Sequence, residues 1–207
     1  MKVLMLNGSP NKNGCTNAAL TIIAEELKRQ GVDSEIIWLG NGLVRSCIGC
    51  GGCKAKGKCV FDDDPINAIG EKLKSADGYI FGAPVHYASP NGAMIAAMDR
   101  LFCAFGQNFK FKPAACVVSA RRAGTTASYD VLNKYIGINN MIAVPSTYWN
   151  MVHGSKAEDV LKDEEGVTIM QAIASNMAWL LKLLDGAKGT PLEKPVMIPK
   201  ARTNFIK

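Results

Sequence analysis

No apolar run in this 207-residue chain reaches the roughly 18 to 20 residues that a bilayer span requires, which argues against a transmembrane protein. The opening MKVLMLNGSP holds one lysine and an apolar run too short for a signal peptide, so it reads as a buried first strand. Without an export signal the expected compartment is a reducing cytoplasm. There an odd complement of seven cysteines makes disulfides the least expected use of the thiols. Internal repeats and low-complexity tracts are also absent. The chain has neither a phosphate-loop Lys-Ser/Thr ending nor a GxGxxG, which disfavours ATP hydrolysis and a standard dinucleotide fold. No helix is basic and no aromatics interleave with basic residues, so nucleic acid is not an expected partner. The net charge of +6 is scattered over Lys54, Lys56 and Lys58, then over Lys188, Lys194, Lys200, Arg202 and Lys207 near the C-terminus. Such a surface suits an anionic cofactor or nucleotide.

What is present has the composition of one soluble domain, 48% hydrophobic and 20% charged, on a chain long enough to bury a core. Lys2 to Asn7 is a continuous apolar run before a Gly8-Ser9-Pro10 turn, as in a strand buried on both faces. A helical pattern runs from about Thr16 to Gly31, and Asp33 to Leu39 reads as a second strand. Asp64-Pro65 opens a helix with Ile66, Ile69 and Leu73 inward. Asp77 to Ala83 is a third strand stopped by Pro84, and an amphipathic helix follows with Met94, Met98, Leu101 and Phe105. Lys112 to Ser119 is a fourth strand, and Val131, Leu132, Tyr135 and Ile136 lie on the next helix. Met141 to Thr147 reads as a fifth strand, placed at an edge or ended early by Pro145. A last helix spans about Val167 to Leu184 with a core-facing stripe. This alternation predicts an α/β fold, a parallel sheet with helices on both faces and right-handed crossovers. A ligand then binds beyond the carboxyl ends of the strands.

Three loops stand at those ends. Gly8 to Asn17 lies between a strand and a helix start, where free amides and the helix dipole suit a phosphate, and Ser9, Thr16 and Asn17 add donors; a plain capped turn is the alternative. Gly82 to Met94 has small residues that admit a flat ligand beside His86 and Tyr87, although a lone histidine is more often structural. Ser119 to Thr126 carries Arg121 and Arg122, which could bond a polar ring edge and stabilise anionic charge there, or form a surface pair.

Between the second strand and the next helix lies CIGCGGCKAKGKC, with Cys47, Cys50, Cys53 and Cys59 at C-x2-C-x2-C-x5-C spacing. Zinc sites usually bring paired CxxC knuckles, which this run lacks. A cubane cluster accepts a compact run, although the ferredoxin pattern ends in x3-C-P and this one does not. Gly49, Gly51 and Gly52 permit tight wrapping, and Lys54, Lys56 and Lys58 would offset negative charge. A [4Fe–4S] cluster, zinc and free thiols all stay open on these residues. Cys15, Cys103 and Cys116 read as loop or core residues.

Taken together, LNGSP from Leu6, the cysteine stretch, GAPVHYASPNGAM, MDR (Met98 to Arg100), and TNFIK from Thr203 resemble the flavodoxin-like NAD(P)H-dependent FMN reductases, and among them the iron–sulfur flavoproteins. The resemblance covers nearly the whole chain. It implies a three-layer sandwich with a five-stranded parallel sheet of order 2-1-3-4-5. Residues 1–187 would be the FMN-binding domain, with the cysteine-rich insertion at about 45–62, and residues 188–207 a tail. FMN would meet Ser9, Asn11, Thr16 and Asn17 at its phosphate, with Cys15 at the edge. It would meet Pro84, Val85, His86, Tyr87, Ser89, Asn91 and Gly92 along the ribityl chain and ring, and Ser119, Ala120, Arg121, Arg122 and Gly124 at the pyrimidine side. The cysteine spacing matches the iron–sulfur branch at all four positions. The implied activity moves electrons from NAD(P)H through FMN to a small acceptor such as a quinone or flavin. The alternative is an electron carrier that exchanges electrons with a ferredoxin-like protein through a [4Fe–4S] cluster. The resemblance also implies a homodimer or homotetramer, in which Trp149 would line a neighbour's pocket unless it is core.

Overall fold

The computed structural model describes residues 1–201, 203 and 205. Arg202, Asn204, Ile206 and Lys207 lie outside the described residues, and with them most of the TNFIK motif. Strand β1 (Lys2–Asn7) is an interior strand of the sheet, one place in from its edge. Its side chains alternate between two cores, Val3 and Met5 on one face and Leu4 and Leu6 on the other, all fully buried. That two-sided burial is why the run is apolar without a gap. The chain crosses through α1 (Cys15–Arg29) to β2 (Asp33–Trp38), which pairs in parallel with β1. The cysteine segment follows, with one short helix, α2 (Cys53–Lys56), before α3 (Ile66–Lys74).

Strand β3 (Gly78–His86) pairs with β1 on one side and β5 (Pro113–Ala120) on the other, all parallel. Between them lie β4 (Ser89–Pro90) and α4 (Gly92–Phe105). After β5 come α5 (Thr125–Ile138), β6 (Ile142–Ala143), β7 (Met151–His153), α6 (Ala157–Val160) and α7 (Glu164–Gly186). Helices α1 and α7 cover one face of the sheet and α3, α4 and α5 the other, giving three layers. The spatial order β2-β1-β3-β5-β6 is the expected 2-1-3-4-5.

The structure corrects two expectations. The fifth strand does not run from Met141 to Thr147. Only Ile142 and Ala143 pair with β5, opposite Pro113 and Ala114. Pro145 lacks the amide that would extend the ladder, so the chain bows out and returns as β7 beside Val118, Ser119 and Ala120. The fifth position is therefore filled twice.

Pro84 does not stop β3 either. It sits opposite Ser119, past the last β1 pair at Gly82, and its carbonyl accepts the Asn91 amide at 3.1 Å. The strand continues to His86 and folds back antiparallel as β4. The two turn residues, Tyr87 (φ 51°) and Ala88 (φ 60°), are both left-handed, the geometry of a turn that favours Asn-Gly. Y87N/A88G should therefore raise stability by about 1 kcal/mol, read as a shift of the urea midpoint at constant m.

Helix α7 is long and apolar enough by length and composition to cross a membrane, yet the core-facing stripe expected of it is borne out. Its stripe from Ile169 through Met170, Ile173, Met177 and Leu181 is buried against α1 and the sheet. Each such side chain removed from water contributes about 1.5–3 kcal/mol to the fold.

Candidate functional site

The carboxyl edge of the sheet holds a cavity of about 330 Å³. Its floor is the start of α1. Gly14, at the N-cap, offers no side chain, nothing else caps the helix, and its first turn carries no acidic residue. The leading amides and the positive end of the helix dipole therefore face the cavity uncompensated. The preceding loop is braced from within. Asn7 Oδ1 accepts the Ser9 amide at 3.0 Å, Ser9 Oγ accepts the Asn11 amide at 3.1 Å, and Trp38 Nε1 donates to the Ser9 carbonyl at 2.8 Å. Gly82 lets α1 approach β3, since a Cβ there would stand 2.9 Å from Thr16 Cγ2. In the cavity lining the buried Thr16 and Ser119 hydroxyls pair at 2.8 Å.

Of the residues singled out in the sequence, Ser9, Asn11, Cys15, Thr16, Pro84, Val85, Ser119, Ala120 and Arg121 line this one cavity. Asn17 lies beside it, its Oδ1 accepting from Asn7 Nδ2 at 3.4 Å. His86, Tyr87, Ser89 and Gly92 are exposed on or just after the β3–β4 hairpin, above the cavity. Asn91 is buried, with Nδ2 donating to the Gly8 carbonyl at 2.8 Å, so it ties that hairpin to the first loop; its Oδ1 has no partner among the described residues. Arg122 is exposed and off the cavity wall. Gly124 (φ 93°) packs where a Cβ would fall 2.6 Å from the Ala88 Cα, so it seats the hairpin tip on the third loop.

Sequence reasoning missed one wall. Gly154, Ser155, Lys156, Ala157 and Glu158 also line the cavity. They arrive because β7 pairs with the end of β5, and the Gly154 amide donates to the Ala120 carbonyl at 3.0 Å. Cys15 Sγ donates to the Gly154 carbonyl at 3.3 Å. Burial pushes the Cys15 thiol up, and the carboxylates of Asp159 and Glu158 add to the shift, so it stays a neutral donor.

A second cavity, of about 240 Å³, lies between the cysteine segment and α4. Cys47, Cys50, Cys53 and Cys59 all line it, with Arg100 and Cys103 from the helix. Among the described residues no three His, Cys, Asp or Glu side chains converge on a single ion position, and all cysteines are free thiols. Arg100 anchors the segment. Its side chain is 1% exposed, paired with the fully buried Asp64 carboxylate. Its Nε donates to Cys59 Sγ at 3.1 Å, and its terminal nitrogens reach the carbonyls of Arg45 (3.2 Å) and Phe61 (3.3 Å). Burial works to raise the Asp64 carboxyl, but the Arg100 guanidinium and the amides of Arg45 and Ile66 outweigh it and hold it below the usual carboxylate range. Asn67 pins the end of the segment, accepting the Cys59 amide at 2.8 Å and donating to the Cys59 carbonyl at 3.0 Å.

Residues 1–156 match the profile of the family described as NADPH-dependent FMN reductase. This chain belongs to that family. Within the FMN reductase family its relatives include an iron–sulfur flavoprotein of Methanocaldococcus jannaschii, 29% identical over 192 residues, covering 89% of this chain and 99% of the relative. Another is an iron–sulfur flavoprotein of Methanosarcina thermophila, 27% identical over 189 residues, covering 89% and 97%. Among solved structures, RosB with a bound flavin-phosphate intermediate superposes with a TM-score of 0.70 at 14% identity, covering 100% of this chain and 93% of that one. An FMN-dependent NADH-azoreductase from Bacillus anthracis in complex with FMN superposes at 0.60 and 14%, covering 86% and 100%. At such identities the superpositions show the flavodoxin-like fold of this FMN reductase family member and nothing finer.

Cys103 is the other residue that sequence reasoning misplaced, as loop or core. Cys116 is core, fully buried, but Cys103 is exposed on α4 and faces the cysteine segment. Helical spacing from Arg100 was the available signal, because residues three apart share a face. Trp149 is half-exposed and meets Tyr148 edge-on, ring centroids 4.5 Å apart, so it is not core.

Proposed function

We propose that this protein is an FMN-dependent oxidoreductase that takes electrons from NAD(P)H and passes them to a small acceptor such as a quinone or a flavin. One observation carries the reading. A single cavity at the carboxyl edge of the sheet joins an uncapped helix start to all three loops expected to meet a flavin phosphate, ribityl chain and ring. The residues fit such a cofactor. The phosphate goes to the first turn of α1, with Ser9, Asn11, Thr16 and Asn17 as donors, Cys15 at the edge and Lys156 adding charge. The ribityl chain and ring go to Pro84, Val85, His86, Tyr87, Ser89, Asn91 and Gly92, and the buried Asn91 Oδ1 is an acceptor still without a donor among the described residues. The pyrimidine edge goes to Ser119, Ala120, Arg121, Arg122 and Gly124. FMN, when bound, supplies hydride acceptance and electron release.

The chain's own part is to hold and tune. The α1 amides and Lys156 bind the anionic end, the hairpin covers the ring, and Arg121 sets positive charge beside the polar edge. No side chain is needed as acid or base for a hydride to move. R121M should lower the FMN reduction potential by about 30 mV, the equivalent of about 1.4 kcal/mol for a two-electron couple, in an anaerobic redox titration. R122M should shift it less, since Arg122 is off the wall; an unchanged potential in the double variant would refute the role of the pair. The same reading takes residues 1–187 as the flavin-binding unit with its cysteine-rich insertion, and the protein as a homodimer or homotetramer.

The cysteine cavity favours a second reading, an electron carrier that uses a [4Fe–4S] cluster and a ferredoxin-like partner. Four thiols surround a cavity, and a guanidinium N–H reaches one sulfur. A cluster body needs a space between thiols, whereas zinc needs them drawn to about 2.3 Å from one point. Anaerobic purification with absorbance, iron and acid-labile sulfide analysis separates the readings. Flavin without iron removes the carrier; about four irons per chain supports it. Stopped-flow mixing with NADPH and NADH then shows whether either reduces the flavin, and failure of both removes the reductase.

A further inference from the structure

We propose that Cys103 is a reserve ligand of the cysteine cavity, able to replace Cys47 on a bound iron–sulfur cluster. The proposal rests on the reading of that cavity as a cluster site. Such a cluster takes four cysteine thiolates, and the structure presents five thiols. Two of them are held in place. Cys59 is fixed by Arg100 Nε at 3.1 Å and by Asn67 at its backbone, and Cys53 begins α2 with its Sγ directed at the Cys103 carbonyl, 3.6 Å away. Cys50 follows Gly49 and precedes Gly51, both left-handed (φ 66° and 70°), so the backbone turns sharply around it.

The fourth place is contested. Cys47 is exposed, on a stretch with no regular secondary structure. Cys103 sits one helical turn beyond Arg100 on the 14-residue α4, on a rigid backbone, and lines the same cavity as Cys47, with Cys53 Sγ 3.6 Å from its carbonyl. The two thiols therefore reach the same region of the cavity, one from a compliant segment and one from a helix. Exchange between them balances without any other reactant. In such an exchange the iron–Cys47 sulfur bond would break, the iron–Cys103 sulfur bond would form, and the Cys103 proton would pass to the departing Cys47 sulfur. No electron changes hands. A consequence is that the segment from Ser46 to Gly49 can leave the cavity without the cluster being lost.

The test is reconstitution of the full chain under anaerobic, reducing conditions with ferrous iron and sulfide. Iron and acid-labile sulfide per chain, and the paramagnetic resonance spectrum after dithionite reduction, are the readouts. Alanine variants are used because a serine oxygen can itself bind iron. C103A is expected to match the wild type, since Cys47 then serves. C47A is expected to keep most of its iron with an altered spectrum, and C47A/C103A to fall at least several-fold below C47A. The proposal is overturned if C47A is already as empty as the double variant, or if the double variant holds as much iron as C47A. Far-UV circular dichroism and bound flavin confirm that each variant is folded. Folded, flavin-loaded wild type that takes up no iron overturns the cluster reading itself, and the reserve ligand with it.

Discussion

Replacing Arg100 by glutamine should cost about 3–5 kcal/mol of folding stability, the range for breaking a buried ion pair by removing one partner. A surface pair would be worth about 1 kcal/mol or less, and burial decides between the two: the Arg100 and Asp64 side chains are 1% and 0% exposed. With the guanidinium gone, Asp64 keeps only the amides of Arg45 and Ile66, at 3.1 and 3.2 Å. The Arg45 carbonyl and the Cys59 sulfur lose their donor at the same time, while the Phe61 carbonyl keeps only Asn67 Nδ2 at 2.9 Å. Denaturant unfolding of R100Q should show a midpoint far below wild type. Adding D64N should recover a substantial part, because it removes the uncompensated charge and leaves one oxygen that can still accept from one of the two amides. R100K should not rescue, since an ammonium cannot span four partners arranged around a planar fork. If R100Q were within about 1 kcal/mol of wild type, the pair would be behaving as an exposed one and the account of the anchor would be wrong.

That anchor shows where the sequence was legible and where it was not. The sheet was readable because its signals are local. The run KVLMLN has no polar gap, which only a strand covered on both faces needs, and Val3, Leu4, Met5 and Leu6 divide between the two cores. The first loop was readable for the same reason: strand, turn and helix start follow one another within Lys2–Arg29. Long-range placement was hidden. Lys156 reaches the cavity at the carboxyl edge only because β7 returns to β5 after the fifth strand breaks before Pro145, and no periodicity marks a three-residue strand. Cys103 and Arg100 belong to a helix whose apolar residues dominate its pattern, while their partners lie far earlier in the chain, from Arg45 to Asp64. Pro84 misled because proline was treated as a stop without regard to its neighbours. Past the end of β1 the missing amide is not required there, and the strand runs on.

The uncapped start of α1 yields the sharpest expectation for the flavin cavity. Gly14→Asp should weaken FMN binding by at least about 100-fold while leaving the flavin-free protein as stable as before or slightly more so. The site accepts a side chain: Gly14 has φ −85° and ψ −167°, open to any residue, and a Cβ would stand 3.2 Å from the side chain of exposed Asn11, which can give way. As N-cap, the new carboxylate takes up the amides that otherwise face the cavity and is favoured by the helix dipole by about 0.3–1 kcal/mol. Toward a phosphate the sign reverses. Like charges about 4 Å apart repel by about 4 kcal/mol at an effective dielectric of 20, and each 1.4 kcal/mol is tenfold in affinity, so 100-fold leaves room for screening in an open cavity. Riboflavin, which lacks the phosphate, serves as the internal control: fluorescence titrations should show its affinity nearly unchanged in the variant. A ratio of FMN to riboflavin affinity that stays at the wild-type value would mean that the phosphate lies elsewhere, and the placement of FMN on the first turn of α1 would fall with it.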